Sequence, residues 1–372
     1  MADFSHRVEE VSISGIREVF EAAGEDAINL GLGQPDFPAP PHARRAAVDA
    51  VESGAADGYT NNRGRDSLLT AIQSHLAETG LSVPTDGLIA TAGGSEALHV
   101  ALEAHVDAGE KVLIPDPGFV AYDALTRIAG GDPVSLPLRE DLTLAPATVE
   151  EAIGPDTAAF IVNSPANPTG AVQSKEDMAA FARIADENDV LCLSDEVYSR
   201  LVYEGSHHSP MAFADTDNVI VVDACSKTYS MTGWRLGWVA ASPRRSERML
   251  RVHQYVQACA TAASQHAAEA ALTGPQDVVS EMAATFEERR DLLLDGLRDM
   301  GLSVPRPRGA FYAMPEVPDG WVDAVIDRGV VVVPGEAFGD RGAGHARISY
   351  AAATEELKDA IEQMRAATSA VR

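Results

Sequence analysis

The chain holds 372 residues, 45% of them hydrophobic, which is enough for two domains with a sizeable core and argues against disorder of the whole chain. Its 56 acidic residues against 29 basic ones leave a formal charge of -27, which argues against a nucleic-acid or anionic-membrane partner, since either needs a basic footprint. From about residue 85 to 240, short apolar runs alternate with helical patterns, the signature of βα units stacked around a mostly parallel sheet. The predicted strands are 88–91, 111–114, 158–162, 190–194, 219–222 and 236–240. Each of the first five runs into a cluster of Gly, Pro, Ser or Asp, at the carboxyl end where such sheets place their chemistry. A long amphipathic stretch near 278–300, rich in Glu and Arg, reads as a helix leading out of the sheet. Two short apolar runs follow, 329–333 and 346–350, and then a helix with Thr354 as its N-cap and Glu355 and Glu356 in its first turn. This second region is smaller and of α+β type, and with no repeat or low-complexity linker between them the two regions are expected to pack closely.

Only four lysines occur, Lys111, Lys175, Lys227 and Lys358, so nearly all of the positive charge is Arg. Dense carboxylates and scarce lysine fit a cytoplasm rich in salt, where charges are screened within about 3 Å at 1 M. An ordinary soluble acidic enzyme is the plainer reading of the same composition. Cys192, Cys225 and Cys259 are too few and too scattered for a disulfide framework, and they are expected as small core residues in a reducing compartment. No Cys or His spacing resembles a metal site. The first residues carry no apolar region of a signal peptide and no stretch reaches the roughly eighteen apolar residues of a membrane span, so a cytoplasmic protein is expected.

The segment from Ser226 to Arg235 carries the most chemical information. It sets the amine of Lys227 between the hydroxyl of Ser226 and the guanidinium of Arg235, directly after an apolar run. A phosphorylated aldehyde such as pyridoxal 5'-phosphate needs those groups: a Lys to hold the aldehyde carbon as a Schiff base, and a hydroxyl and an Arg for the phosphate. Upstream, Thr91-Ala92-Gly93-Gly94-Ser95 lies where a strand ends and a helix begins, and backbone N–H groups there can face an anion. The same Gly-Gly also fits a plain tight turn. Asp195, at a strand's carboxyl end, can hold a protonated pyridine nitrogen, and Tyr198 offers a phenol to a ring oxygen. An Asp there also caps helices, and a Tyr there is often core. In the loop from Asn163 to Gly170, two prolines and a glycine hold the Asn167 amide at the sheet edge, although an ordinary turn uses the same residues. Phe119 offers a ring to stack on a flat cofactor, and Arg347 has the planar fork that suits an α-carboxylate. Taken singly, Phe119 reads as core and Arg347 as surface. Gly31-Leu32-Gly33 lacks the third glycine and the strand-helix context of a dinucleotide loop and is discounted.

Taken in order, these motifs resemble the fold type I, class I/II aminotransferases dependent on pyridoxal 5'-phosphate, and the archaeal aspartate aminotransferase-like members in particular. The match runs along nearly the whole chain. It starts at Gly33-Gln34-Pro35-Asp36-Phe37-Pro38 and Gly58-Tyr59-Thr60, then takes in Gly93-Gly94-Ser95, Asn167-Pro168-Thr169-Gly170, Ser194-Asp195-Glu196-Val197-Tyr198 and Ser226-Lys227. It ends with Gly233-Trp234-Arg235, Pro334-Gly335, Phe338-Gly339 and Arg347-Ile348-Ser349. The resemblance implies an α/β fold: a mostly parallel seven-stranded sheet in a large cofactor-binding domain at 41–265, and a smaller α+β domain made of 1–40 and 266–372. It implies Lys227 as Schiff-base lysine and proton carrier, Asp195 as partner of the pyridine nitrogen, and Tyr198 and Asn167 as contacts of the ring oxygen. Ser226, Arg235 and the backbone of Gly94 and Ser95 would hold the phosphate, and Phe119 would stack on the ring. Arg347 would grip the substrate α-carboxylate, helped by Asn167 and the Gly33 backbone, and Tyr59 would reach the phosphate of a neighbouring subunit in a homodimer with shared sites. Two positions depart from the family pattern. Ala224 stands where many relatives carry a second hydroxyl, which puts one phosphate contact in doubt, and Leu68-Leu69 replaces the usual Leu-Arg pair.

The implied reaction is a ping-pong transfer of the amino group from an L-amino acid to a 2-oxo acid, with 2-oxoglutarate as the expected acceptor and an aspartate, alanine or aromatic donor. A C-S β-lyase of the cystathionine type shares the fold and nearly the same residues and is the alternative. A regulator of this fold would carry an N-terminal DNA-binding region, for which no room is expected before Gly33. Ser12-Ile13-Ser14-Gly15-Ile16-Arg17 resembles the entrance segment of archaeal-type members, with Arg17 as a candidate for a side-chain carboxylate.

Overall fold

The computed structural model describes residues 4–11 and 27–371, so Ser12 to Arg17 lie outside the described residues. In chain order a short strand, β1 (Ile28–Asn29), precedes the strands of the main sheet, β2 (Leu88–Thr91), β3 (Lys111–Asp116), β4 (Asp132–Pro137), β5 (Thr157–Asn163), β6 (Leu191–Asp195), β7 (Val219–Ala224) and β8 (Gly237–Ala240). Their order across the sheet is β2-β8-β7-β6-β5-β3-β4, with β8 antiparallel to both neighbours and every other pair parallel. Helices cover both faces, so the inner strands are buried on both sides. Phe160, Ile161 and Val162 in β5, Leu191 and Leu193 in β6 and Val219 to Val222 in β7 are all core.

Six of these strands coincide with predicted ones to within one or two residues, and β4 is the one the sequence reading lacks. Pro133 and Pro137 are the reason. A proline cannot donate to a ladder, which hides a strand pattern, yet β4 pairs only with β3 at the sheet edge, where proline is tolerated. Four of them, β3, β5, β6 and β7, also run further at their carboxyl ends. Asn163 is the register partner of Asp195, and Asp195 is that of Val222. The chemistry-bearing residues of adjacent strands thus end side by side.

After the sheet, β9 (Tyr312–Ala313), β11 (Val333–Pro334) and β12 (Ala346–Ser349) form a small antiparallel sheet in the order β11-β12-β9, and β10 (Val330–Val331) pairs in parallel with β1. The Leu30 N–H donates to the Val331 carbonyl at 2.9 Å, and the Ser349 N–H donates to the Leu30 carbonyl at 2.7 Å. The segment 28–33 is therefore stitched to the C-terminal region, which brings the Gly31 carbonyl onto Arg347. The helix Asp277–Asp299 buries Met282, Phe286, Leu293 and Leu297 in the same core as Trp321 and Leu357. The last helix, Thr354–Val371, takes its first backbone bond on the Ala353 carbonyl, so its cap lies one residue before the expected Thr354.

The helix Ala262–Thr273 runs across the expected boundary at 265–266. It packs Ala267, Ala268 and Ala271 against Ala43 and Ala47 of the helix Pro41–Glu52 and Leu68 and Ile72 of the helix Asp66–Glu78. Leu68 and Leu69 are thus core positions, a setting that favours a second leucine over a charged group.

Candidate active site

Lys227 rides on a one-turn helix, Cys225–Thr228, that starts directly at the end of β7. The Cys225 N–H donates to the Leu236 carbonyl at 3.0 Å, which anchors the turn to β8. The Lys227 amine donates to the Gly33 carbonyl and lies 5.9 Å from the ring centres of both Tyr198 and Phe311. Burial, helped by the nearby Arg347 and Arg235 charges and opposed by Asp195, lowers its pKa to about 8. A Lys so placed holds a usable fraction of free amine near neutral pH, which is what a nucleophilic lysine requires.

Asp195 closes β6 and is buried, and burial pushes its carboxyl up to about 6. The Tyr122 hydroxyl donates to its Oδ2 at 2.7 Å and the Val197 N–H to its Oδ1 at 3.4 Å, both of which favour the ionised form. Tyr122 escaped the sequence reading. The signal was available: it lies one helical turn after Phe119, and the two rings meet edge to face with centres 5.5 Å apart.

Arg347, in β12, is a large cation only 1% exposed. Its guanidinium donates to Asn167 Oδ1 at 3.0 Å and to the Gly31 carbonyl, and it is stacked between the rings of Tyr312 and Phe338, with centres at 4.7 and 4.6 Å. Its Nε has no partner. An unpartnered donor on a buried cation that lines a cavity is a site for an anion. Asn167 is itself held, its N–H donating to Asn163 Oδ1 at 2.8 Å. The Tyr198 and Tyr312 hydroxyls are 2.9 Å apart. Tyr312 belongs to the strand β9 and Phe338 to a short 3-10 helix, Gly335–Phe338, neither of which sequence periodicity connects to the site.

On the opposite side, Gly94 and Ser95 open the helix Gly94–His105. Gly93 before them has φ +82°, and a Cβ there would lie 2.6 Å from the Arg235 guanidinium, so only glycine allows the Arg to come this close. Arg235 donates to the Ala92 carbonyl at 3.3 Å and the Thr232 carbonyl at 3.0 Å. Ala224 and Thr232 both line the cavity, and Thr232 is a residue that the sequence pattern does not single out.

Among the described residues, all the predicted site residues but one line a single cavity of about 240 Å³: Lys227, Asp195, Tyr198, Asn167, Phe119, Gly94, Ser95, Ser226, Arg235, Gly33 and Arg347. Tyr59 is the exception, 93% exposed and away from the cavity. Residues 25–364 match the family model described as aminotransferase class I and II.

The chain belongs to that family.

It is 40% identical to the probable aspartate aminotransferase of Methanocaldococcus jannaschii, over 96% of this chain and 97% of that one. The aromatic-amino-acid aminotransferase 2 of Thermococcus litoralis is 37% identical over 97% of both chains. Among solved structures, the aspartate aminotransferase from Thermus thermophilus with maleate superposes with a TM-score of 0.93 at 35% identity, covering 99% of this chain and all of that one. The protein is an aminotransferase that transfers amino groups between amino acids and 2-oxo acids, and it uses pyridoxal 5'-phosphate. These relatives do not favour the β-lyase alternative. The cavity fits the cofactor, with a buried amine of lowered pKa, a buried carboxylate, and an arginine beside glycines at a helix start. Among the described residues no helix is long and apolar enough to cross a membrane.

Proposed function

We propose that both half-reactions run in this one cavity, with Lys227 as the group that carries the proton. Pyridoxal 5'-phosphate, when bound, supplies an electrophilic carbon and an electron sink. Ser226, Arg235 and the backbone N–H groups of Gly94 and Ser95 hold its phosphate, and Phe119 covers its ring. Asp195 holds a proton on the pyridine nitrogen, and Tyr198 and Asn167 donate to the ring oxygen. Arg347, with Asn167 and the Gly33 backbone, orients the amino acid by its α-carboxylate. The Lys227 amine would then take the proton from the substrate Cα and deliver it to the carbon that had been the cofactor's aldehyde carbon. One observation carries this reading: the wall that holds Lys227 also holds Asp195, Arg235 and Arg347, and burial together with the two arginine charges, against the pull of Asp195, brings the amine to a pKa of about 8. Lys227→Ala is expected to lose turnover and the visible absorbance of the bound cofactor together, and activity retained in that variant would sink the assignment.

For the donor we favour aspartate, with alanine and aromatic amino acids as further candidates, and 2-oxoglutarate as acceptor; the names of the relatives above support the aspartate and aromatic donors. A donor screen against 2-oxoglutarate at low and high KCl tests it. The full exposure of the Tyr59 ring supports a homodimer in which each Tyr59 reaches the partner's phosphate site. The charge of -27 with only four lysines supports a cytoplasmic enzyme adapted to high salt. The division into a large and a small domain is retained, with the boundary moved past Thr273 because the helix Ala262–Thr273 packs on the main sheet's helices.

A further inference from the structure

We propose that His253 is a positioning residue of the phosphate cradle, acting through Glu96 and Ala92. The proposal rests on the reading of Gly94, Ser95 and Arg235 as the phosphate site. The turn before the helix Gly94–His105 is pinned at Ala92 from two sides. Arg235 donates to the Ala92 carbonyl at 3.3 Å, and the Ala92 N–H donates to the Glu96 carboxylate. Glu96, in the first turn of that helix, is held in turn by His253, whose Nδ1 lies 2.7 Å from Glu96 Oε1. The opposite ring nitrogen, Nε2, lies 2.9 Å from the backbone carbonyl of Asn62.

The His253 side chain is 0% exposed, in the helix Pro243–Val256, and is not on the cavity wall. The ring is therefore hydrogen-bonded at both nitrogens, to the Glu96 carboxyl group on one side and to the Asn62 carbonyl on the other. Its far arm reaches the loop three residues beyond Tyr59. That loop is wired further: the Asn62 amide donates to the Ala258 carbonyl at 2.7 Å, and the Gln265 amide donates to Thr60 Oγ1 at 2.9 Å. His253 thus acts on the phosphate through Glu96 and Ala92, and the same ring fixes the base of the Tyr59 loop.

Glutamine and asparagine separate the two arms, because the amide nitrogen of Gln overlays Nε2 and that of Asn overlays Nδ1. Cofactor-free full-length protein is titrated with pyridoxal 5'-phosphate and, separately, with pyridoxal, and binding is followed by absorbance. His253→Gln, which loses the donor to Glu96, is expected to weaken pyridoxal 5'-phosphate binding about tenfold and leave pyridoxal unchanged, while His253→Asn stays within about threefold of the unsubstituted protein for both. Equal weakening of both ligands in His253→Gln, or no weakening of either, overturns the proposal. Should His253→Gln not fold, Glu96→Gln, which leaves one acceptor for two donors, must show the same phosphate-selective loss, and its absence overturns the proposal equally. An unsubstituted protein that does not distinguish the two ligands would overturn the phosphate site itself, and this inference with it.

Discussion

Burial moves the two central ionisable groups of the cavity in opposite directions, Lys227 down to about 8 and Asp195 up to about 6. In each case the charged form is the one disfavoured. For Lys227 the neutral amine is the nucleophile, so its reactive fraction grows as pH rises through about 8. For Asp195 the ionised form pairs with the pyridine nitrogen, so pairing is lost as pH falls through about 6. The rate at which cofactor-free protein captures pyridoxal 5'-phosphate, followed by visible absorbance, should therefore climb between pH 7 and 9 and collapse below 6. A rate flat across pH 8 would contradict the Lys227 assignment. Tyr122 refines this. Its hydrogen bond lowers the Asp195 pKa, so Tyr122→Phe is expected to shift the acid limb to higher pH. Tyr312→Phe removes a hydroxyl 2.9 Å from that of Tyr198 while keeping the ring under Arg347, and should cost about 1 kcal/mol in kcat/KM with little change in melting temperature. Lys227 and Asp195 were legible in the sequence because each lies in a motif of unusual chemistry, and Arg347 only through the family resemblance. Tyr122 and Tyr312 were not, because a Tyr in an apolar run reads as core until its hydroxyl is seen to meet another polar group.

At the scale of the element, the turn from β2 into the helix Gly94–His105 shows how much one missing side chain decides. Gly93 combines a positive φ with the Arg235 guanidinium where its Cβ would be, so Gly93→Ala should displace Arg235 and weaken cofactor affinity at least tenfold, as an equilibrium titration would read. A cap far from the cavity makes the contrast. Ser174 Oγ accepts the Asp177 N–H at 3.0 Å at the start of the helix Lys175–Asn188, and Ser174→Ala should cost about 1 kcal/mol of stability in denaturant unfolding while leaving turnover unchanged. The strands legible from the sequence were those whose apolar runs are closed by turn residues. β4 was not, since Pro133 and Pro137 mask a strand that only an edge position permits. The pairing of the two-residue strands β1 and β10 was equally hidden: β10 lies in the apolar run 329–333, but β1 has no local pattern and exists only through its partner.

For the whole molecule, the balance of 56 acidic to 29 basic residues implies repulsion that salt screens. The melting temperature is expected to rise as KCl goes from about 0.1 M to several molar, and a steady fall would refute the salt reading. Tyr59, Tyr255 and Val256 are exposed large apolar side chains near the wired loop that ends at Asn62, which is where a second copy would cover them. Tyr59→Ala should weaken cofactor binding without unfolding the protein, measured by titration beside a melting curve. By itself the sequence determined the chemistry and the architecture. Lys227 with Ser226 and Arg235, and strands closed by Asn163 and Asp195, are local patterns carried by neighbouring residues. Only the tertiary structure decided which groups from distant segments meet. Arg347 lies between Tyr312 and Phe338 over the Gly31 carbonyl, and His253 joins Glu96 to Asn62, because β1 pairs with β10 and the helix Pro243–Val256 packs against the helix Gly94–His105. Such contacts join residues far apart in the chain, and no spacing between neighbours encodes them.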